Sequence, residues 1–278
     1  MPVVFPPHSP RQDWDDAFAQ MAHIPGSEGL PDRWAADAAA ARSALRCTCD
    51  LRYGPAPREM FDLLLPDGPP LGLAVFVHGG YWMMLDKSSW THLARGALAR
   101  GWAVCVPSYT LTPEARIAQI THQIARAITC AAAQVPGPIK LAGHSAGGHL
   151  VTRQLCADSS LPLDVAARIT GTLAIAGLFD LRPLLHTAMN DTLRLDPPEA
   201  RAESPALLDP RGQPRLTCWL GARERPEFLR QSRLMTLLWR GLDVPVNAHE
   251  APGEDHFSVL DGLTAPDSPI TEAWLGTA

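Results

Sequence analysis

A serine flanked by glycines is the strongest chemical signal in this chain, in the pentapeptide Gly143-His-Ser-Ala-Gly147. The apolar run 139–142 before it is typical of a β-strand, and the apolar residues of 146–157 recur at helical spacing. A strand, a sharp turn and a helix predict a nucleophile elbow with Ser145 at its tip. In such a turn a Cβ at either glycine would collide with the neighbouring strand or helix. The pentapeptide alone also fits a glycine-rich turn with an incidental serine.

A serine hydroxyl becomes a good nucleophile when a base takes its proton and a third group orients that base. Only two of the ten histidines, His249 and His256, lie well downstream of the elbow and beyond the penultimate predicted strand. His256 lies in the polar loop 252–257, after a strand predicted at 244–248, and such loops at the carboxyl edge of a sheet carry active-site groups. We predict His256 as the base. A plain surface histidine and His249 are the alternatives.

A carboxylate behind the base would hold its tautomer and stabilise the imidazolium. Glu224 is the first acid after the strand predicted before the final one, so we predict it in this role. It could instead be a solvated loop acid paired with Arg223 or Arg225. The rival acids are Asp180, at the end of the preceding strand, and Glu227, which is expected inside the next helix.

A tetrahedral intermediate needs preorganised N–H donors for its oxyanion. The predicted strand 73–77 leads into His-Gly-Gly-Tyr-Trp, residues 78–82, where two glycines let the backbone approach a substrate closely. We predict an oxyanion hole formed by the backbone of Gly79, Gly80 and Tyr81, together with that of Ala146 after the serine. A Gly-Gly turn without function is the alternative.

Apolar side chains beside this loop predict one wall of a substrate pocket. Trp82 and Met83 are the predicted wall residues, with Tyr81 and Met84 next to them. Such a wall suits an aryl amide or ester. Ordinary loop packing is an equal alternative for the two methionines.

Polar contacts to a substrate are harder to assign from the sequence. His144 borders the predicted pocket, but we expect it and His78 to hold their loops by hydrogen bonds to the backbone and not to act as the base. Asn190 is predicted as a polar contact from the cap side, and Asp191 and Arg182 are further candidates there.

Alternating strand and helix patterns must position these residues. They predict a mostly parallel central sheet with helices on both faces, preceded by an antiparallel strand pair at 46–53 and 58–65. We predict one domain over 1–278. Residues 1–45 are an irregular and helical N-terminal lead-in with helices near 13–21 and 30–45, and 187–214 form a small cap or active-site wall.

Composition excludes several classes of function. The net charge of −5 and the lack of any Lys/Arg run argue against a nucleic-acid partner, and no apolar stretch reaches membrane-spanning length. The N-terminus lacks the pattern of a signal peptide. Of six cysteines only Cys47 and Cys49 are close, so we expect reduced thiols, no zinc site and a cytoplasmic location. A small-molecule substrate is expected, and the oligomeric state is open, with a homodimer allowed.

Together these pieces resemble the arylformamidase (kynurenine formamidase) branch of the α/β hydrolases. That branch carries His-Gly-Gly-x-Trp, matched here at 78–82. Further matching segments are Tyr-Gly-Pro at 53–55, Gly-His-Ser-Ala-Gly-Gly-His-Leu at 143–150, Pro-Glu-Phe-Leu-Arg-Gln-Ser at 226–232 and Gly-Glu-Asp-His-Phe at 253–257. They cover most of the chain from about residue 46 onward.

The resemblance implies an α/β-hydrolase fold and a triad of Ser145, Glu224 and His256. Glu224 departs from the Asp that eukaryotic members usually carry at this position, a change that preserves the chemistry. The resemblance also implies hydrolysis of N-formyl-L-kynurenine to L-kynurenine and formate through a formyl-enzyme, with no metal or organic cofactor. A carboxylesterase or amidase of broad scope is the runner-up, because one fold hosts many reactions. A non-catalytic binding protein of the same fold is the third hypothesis.

Overall fold

The computed structural model describes residues 13–277, and its centre is an eight-stranded sheet. The strands are β1 (Cys47–Arg52), β2 (Met60–Leu64), β3 (Leu73–Val77), β4 (Ala103–Pro107), β5 (Ile139–His144), β6 (Ile169–Ile175), β7 (Leu216–Gly221) and β8 (Val246–Ala251). Their order across the sheet is β1-β2-β4-β3-β5-β6-β7-β8. The first two strands pair antiparallel, and all pairs from β3 to β8 are parallel. The predicted α/β-hydrolase fold with its mostly parallel sheet is confirmed.

Helices cover both faces of this sheet. They are α1 (Trp14–Phe18), α2 (Leu30–Ala44), α3 (Arg95–Ala99), α4 (Ile117–Gln134), α5 (Ala146–Arg153), α6 (Leu163–Ala166), α7 (Asn190–Leu193), α8 (Pro197–Ala202), α9 (Pro226–Arg240) and α10 (Pro269–Leu275). Alternate strand residues point to opposite faces. Val75 and Val77 therefore pack with α4 and α5, whereas Ala74 and Phe76 pack with α2, α3 and α10. No helix among residues 13–277 is long and apolar enough to cross a membrane.

Several predicted element boundaries were wrong. Residues 88–100 have a sequence pattern that predicts a helix, but they form two short 3₁₀ turns followed by α3. The pattern of 257–263 also predicts a helix, but the structure has a 3₁₀ segment there, Ser258–Thr264. The final helix α10 was not predicted. β8 begins at Val246 and not at 244, because Pro245 has no N–H for the ladder.

Two segments lie outside the sheet and the helices that cover it. The predicted cap, 187–214, forms α7, α8 and a 3₁₀ turn, and it is joined to α4 and α5 by the ion pairs Arg116–Glu199 and Arg153–Glu203. The other segment is the N-terminal strap, defined here as residues 13–23, which comprises α1 and the 3₁₀ turn Met21–His23. It contacts α9 and the start of the 187–214 segment.

Candidate active site

Ser145 lies in a sharp turn between β5 and α5, with φ 55° and ψ −116°. Its backbone N–H donates to the carbonyl of Ile175 at 2.8 Å, which fixes the turn against β6. A Cβ at Gly147 would lie 2.0 Å from the carbonyl oxygen of Val77, and one at Gly143 would lie 2.2 Å from that of Gly147. The predicted steric demand for both glycines is thus present, and the strained backbone presents the hydroxyl at the carboxyl edge of the sheet.

Glu224 and His256 meet at the same edge because they follow the adjacent parallel strands β7 and β8. His256 Nδ1 lies 2.8 Å from Glu224 Oε1, and both side chains are almost wholly buried. The flanking arginines do not take the carboxylate: Arg223 donates to the carbonyl of Gly253, and Arg225 pairs with Asp16. With Nδ1 donating to Glu224, the Nε2 atom of His256 is left as a proton acceptor.

The alternatives for the base and the acid are engaged elsewhere. Asp180 binds Arg182 at 2.8 Å, and Glu227 binds Arg230 at 2.7 Å. His249 lies inside β8 with an exposed side chain. None of the three contacts Ser145 or His256 through a hydrogen bond in the described chain.

The loop after β3 curls over the elbow. Gly80 and Tyr81 both have positive φ, 101° and 51°. A Cβ at Gly79 would lie 2.8 Å from the carbonyl oxygen of His144, so only glycine allows this close approach. Within residues 13–277 the backbone N–H groups of Gly80, Tyr81 and Ala146 have no hydrogen-bond partner, which leaves them available to an oxyanion.

Gly80, Tyr81 and Ser145 border a cavity of about 370 Å³. This volume lies near the lower limit of about 300–1,000 Å³ for small-molecule sites. The wall is mainly apolar and aromatic, and its polar lining includes Ser145, His144 and His256. The remaining lining residues are Asp15, Phe18, Ala19, Gln20, Met21, Ala22, Pro31, Trp34, Gly80, Tyr81, Met84, Leu85, Trp90, Met189 and Phe257.

Three predicted pocket residues do not line this cavity. Trp82 is fully buried on the far side of the loop, edge-to-face with His149, and Met83 packs against the same core. The left-handed backbone at Tyr81 and Trp82 turns these side chains away and brings Met84 into the wall. The side-chain amide of Asn190 is hydrogen-bonded within its own turn: it donates to the carbonyl of Leu195 and accepts from the N–H of the same residue.

His144 does line the cavity, and it also holds the base in place. Its Nε2 lies 2.8 Å from the carbonyl oxygen of His256, and the two rings are 4.6 Å apart. Burial lowers the pKa of His144 well below its usual value. The ring is therefore neutral, and its N–H tethers the loop that carries His256, as expected for a structural role.

Buried histidines around the elbow predict acid sensitivity. Burial lowers the pKa of His149 to about 3 and that of His78 to about 4. As the pH falls, these histidines become protonated in the unfolded chain before they do in the folded one. The free energy of unfolding is therefore highest above about pH 6.5, and below that it falls by ~1.4 kcal/mol per pH unit for each histidine until the folded pKa is reached. We expect Tm to drop between pH 7 and 5, and to drop less steeply in His149→Gln. Parallel Tm slopes for the two proteins would contradict this prediction.

One cluster has the composition of a metal site. Ligand atoms of Cys47, Cys49 and Asp62 lie within 4.8 Å of one another. The ammonium of Lys87, however, lies 2.6 Å from Asp62 and 2.7 Å from Asp50. The buried carboxylate thus already has a cationic partner, and burial raises the pKa of Cys47 to about 12.

The N-terminal strap supplies a part of the site that no sequence motif indicates. Gln20 donates its amide to Glu224 Oε2 at 3.0 Å, and Phe18 accepts a hydrogen bond of 2.6 Å from the hydroxyl of Tyr81. Phe18 and Trp34 of the cavity wall likewise lie in the N-terminal lead-in, whose function the sequence left open. No motif connects residues so far apart in the chain.

Comparisons with known proteins agree with this geometry. A family described as having an alpha/beta hydrolase fold matches residues 74–258. A kynurenine formamidase from Danio rerio is 28% identical over 96% of this chain and 91% of its own length. A crystal structure from a Silicibacter species, provisionally named a thioesterase, is 48% identical, with a TM-score of 0.91 over 94% of this chain and 98% of its own. A Pyrobaculum calidifontis esterase shares the fold at 17% identity, with a TM-score of 0.67 over 88% and 90% of the two chains.

Proposed function

Because the chain belongs to the α/β-hydrolase family, in which it is an arylformamidase-like hydrolase of amides or esters, we propose that it cleaves a small aryl formamide. The substrate that we propose is N-formyl-L-kynurenine, and the products are L-kynurenine and formate. The observation that carries this proposal is the buried Glu224–His256 pair, whose histidine borders an aromatic cavity together with Ser145.

The proposed mechanism uses the three residues in sequence. His256 takes the proton of Ser145, whose oxygen attacks the formyl carbon, while Glu224 stabilises the imidazolium. Backbone N–H groups of Gly80, Tyr81 and Ala146 hold the oxyanion. The imidazolium then gives its proton to the departing aniline nitrogen as the C–N bond breaks. Water, deprotonated by His256, attacks the formyl-serine ester, and the imidazolium returns the proton to the Ser145 oxygen as the ester bond breaks and formic acid leaves as formate.

The cavity wall supports an aromatic leaving group. Trp34, Trp90 and Phe257 present flat apolar surfaces, and Trp34 lies 4.8 Å from Trp90 and 5.3 Å from Phe257 between ring centroids. Such a cluster favours an aryl ring by burial and by aromatic contacts. An aniline is a poor leaving group unless it is protonated, so the reaction needs the buried acid–base pair more than ester cleavage does.

A comparison of substrates tests the proposal. We expect kcat/KM for N-formyl-L-kynurenine to exceed that for p-nitrophenyl acetate by about a hundredfold or more, which corresponds to ~2.7 kcal/mol of transition-state preference. The measurement is a pair of steady-state rates on the purified chain, with Ser145→Ala as the blank. A faster ester and a formamide that is barely turned over would contradict the substrate assignment.

A thioester or ester hydrolase is the second candidate, because the Silicibacter relative is provisionally named a thioesterase. A thiolate leaves without prior protonation, so the same triad would suffice. An acyl thioester belongs in the same series of rates, and a thioester preference would favour this candidate. Labelling with a serine-directed phosphonate addresses the third hypothesis: no adduct at Ser145 would indicate a non-catalytic binding protein.

A further inference from the structure

Gln20 provides the second hydrogen bond to the proposed catalytic acid. Its amide nitrogen lies 3.0 Å from Glu224 Oε2, while Oε1 of the same carboxylate receives His256 Nδ1 at 2.8 Å. Within residues 13–277 no other side chain donates to this carboxylate. The side chain of Glu224 has 0% of its surface exposed, so solvent does not reach the carboxylate while Gln20 is in place.

We propose that Gln20 is a positioning residue, which holds Glu224 in the orientation that His256 requires and so makes the active site depend on the docked N-terminal strap. This inference rests on the proposed triad. A carboxylate bound at one oxygen only can rotate about its final bond. A second donor on the opposite oxygen fixes the plane of the group and directs Oε1 at the imidazole.

The chemical nature of the donor supports this role. A carboxamide is neutral, so it orients the carboxylate and leaves the negative charge to stabilise the imidazolium. An arginine at this place would compete with His256 for that charge. The two arginines that flank Glu224 are bound elsewhere, Arg223 to the carbonyl of Gly253 and Arg225 to Asp16 of the strap.

The strap is held where Gln20 can reach Glu224. Tyr81 donates its hydroxyl to the carbonyl of Phe18 at 2.6 Å, and Asp15 accepts the backbone N–H of Ala188 at 2.6 Å. Phe18 also packs edge-on against Phe228, at 6.1 Å between ring centroids. The oxyanion loop, α9 and the 187–214 segment therefore all contribute to the placement of the amide.

Two variants of Gln20 separate positioning from simple packing. Gln20→Leu removes the donor, and we expect kcat for p-nitrophenyl acetate to fall about ten- to a hundredfold with KM changed less than about threefold. Gln20→Glu places two carboxyl groups within hydrogen-bond distance. When the new group is protonated it donates to Glu224, and when both ionise they repel. The ratio of its kcat to that of the wild type should therefore fall as pH rises from 5 to 8.5.

Other ionisable groups near Glu224 do not produce that pH dependence. Burial, with the charge of Glu224, raises the pKa of Tyr81 far above the range of the assay. The hydrogen bond from His23 lowers the pKa of Asp16, which stays ionised and paired with Arg225. His256 contacts Glu224 in both proteins, and each ratio compares the two proteins at the same pH.

Asp13→Asn is the matched control. It removes an exposed charge of the strap, but asparagine still caps α1 and the contacts of Gln20 and Asp16 stay intact, so its kcat should stay within about threefold of the wild type at every pH. A Gln20→Glu ratio that does not vary with pH, or equal losses in Gln20→Leu and Asp13→Asn, would overturn the inference. The acetyl ester makes the test independent of the formamide substrate. An active Ser145→Ala would refute the proposed function itself, whereas an inactive Ser145→Ala with normal Gln20 variants would refute only the role of Gln20.

Discussion

Ser145→Ala should lower kcat/KM for every acyl substrate by about four orders of magnitude or more. The variant keeps the cavity, the N–H donors and the Glu224–His256 pair, but it has no oxygen to form the acyl-enzyme. The remaining groups would still stabilise the transition state for direct attack of water on the substrate, which gives a small residual rate. The measurement is the steady-state rate on N-formyl-L-kynurenine and p-nitrophenyl acetate, together with mass detection of a serine-directed phosphonate adduct.

An exposed serine provides the control for this loss. Ser43 lies on the outer face of α2, bonded only to the carbonyl of Ala39, so Ser43→Ala should react with the phosphonate and turn over like the wild type. Thermal unfolding checks that Ser145→Ala is folded, since alanine must adopt the strained backbone at φ 55°. A folded Ser145→Ala that retains more than about a tenth of the activity would show that another residue is the nucleophile.

The part of the site that follows strand ends was predictable from the sequence. Ser145, Glu224 and His256 come after β5, β7 and β8, and parallel strands bring their carboxyl ends to one edge. Local signals marked each position, namely glycines that a turn requires and a polar loop after an apolar run. The fold class followed from the alternation of strand and helix patterns along the chain, because a parallel sheet needs helices that connect its strands and cover both of its faces.

The cavity wall was not predictable, because it depends on backbone direction and on distant contacts. Left-handed φ values at Tyr81 and Trp82 turn the side chains of Trp82 and Met83 away from the cavity. Met84 lines the cavity in their place. No spacing rule reports such a turn in non-glycine residues. The contact between Gln20 and Glu224 spans 204 positions and depends on the docking of the N-terminal strap, which is decided by tertiary packing alone.

The error at β8 had a local cause. The apolar residues of 244–248 suggested a strand that ends before His249, whereas the ladder begins after Pro245 and continues to Ala251. His249 thereby becomes an exposed strand residue stacked on Trp219, at 3.8 Å between ring centroids. Hydrogen-bonding capacity, and not hydropathy, set the start of this edge strand.

Glu224→Gln should lower kcat by about a hundred- to ten-thousandfold with little change in KM. The substitution keeps the shape of the side chain but removes the charge that stabilises the imidazolium. It also changes the hydrogen bonding, because both partners of Glu224 donate: His256 to Oε1 and Gln20 to Oε2. A carboxamide has one oxygen, so both contacts are kept only if Gln20 turns its own amide to accept from the new NH₂ group. Steady-state kinetics on an ester and on the formamide measure the effect, and the formamide should suffer more because its leaving group needs the proton.

Asp180→Asn discriminates between Glu224 and its rival Asp180 as the acid. Asp180 pairs with Arg182 and Arg230 and has no contact with His256, so its neutralisation should lower Tm while kcat stays within about threefold. Glu250→Gln, at an exposed position near the end of β8, controls for the loss of one negative charge. Near-normal activity in Glu224→Gln combined with loss of activity in folded Asp180→Asn would transfer the acid role to Asp180. The 2.8 Å contact between Glu224 and His256 would then have to be a ground-state arrangement that rearranges before catalysis.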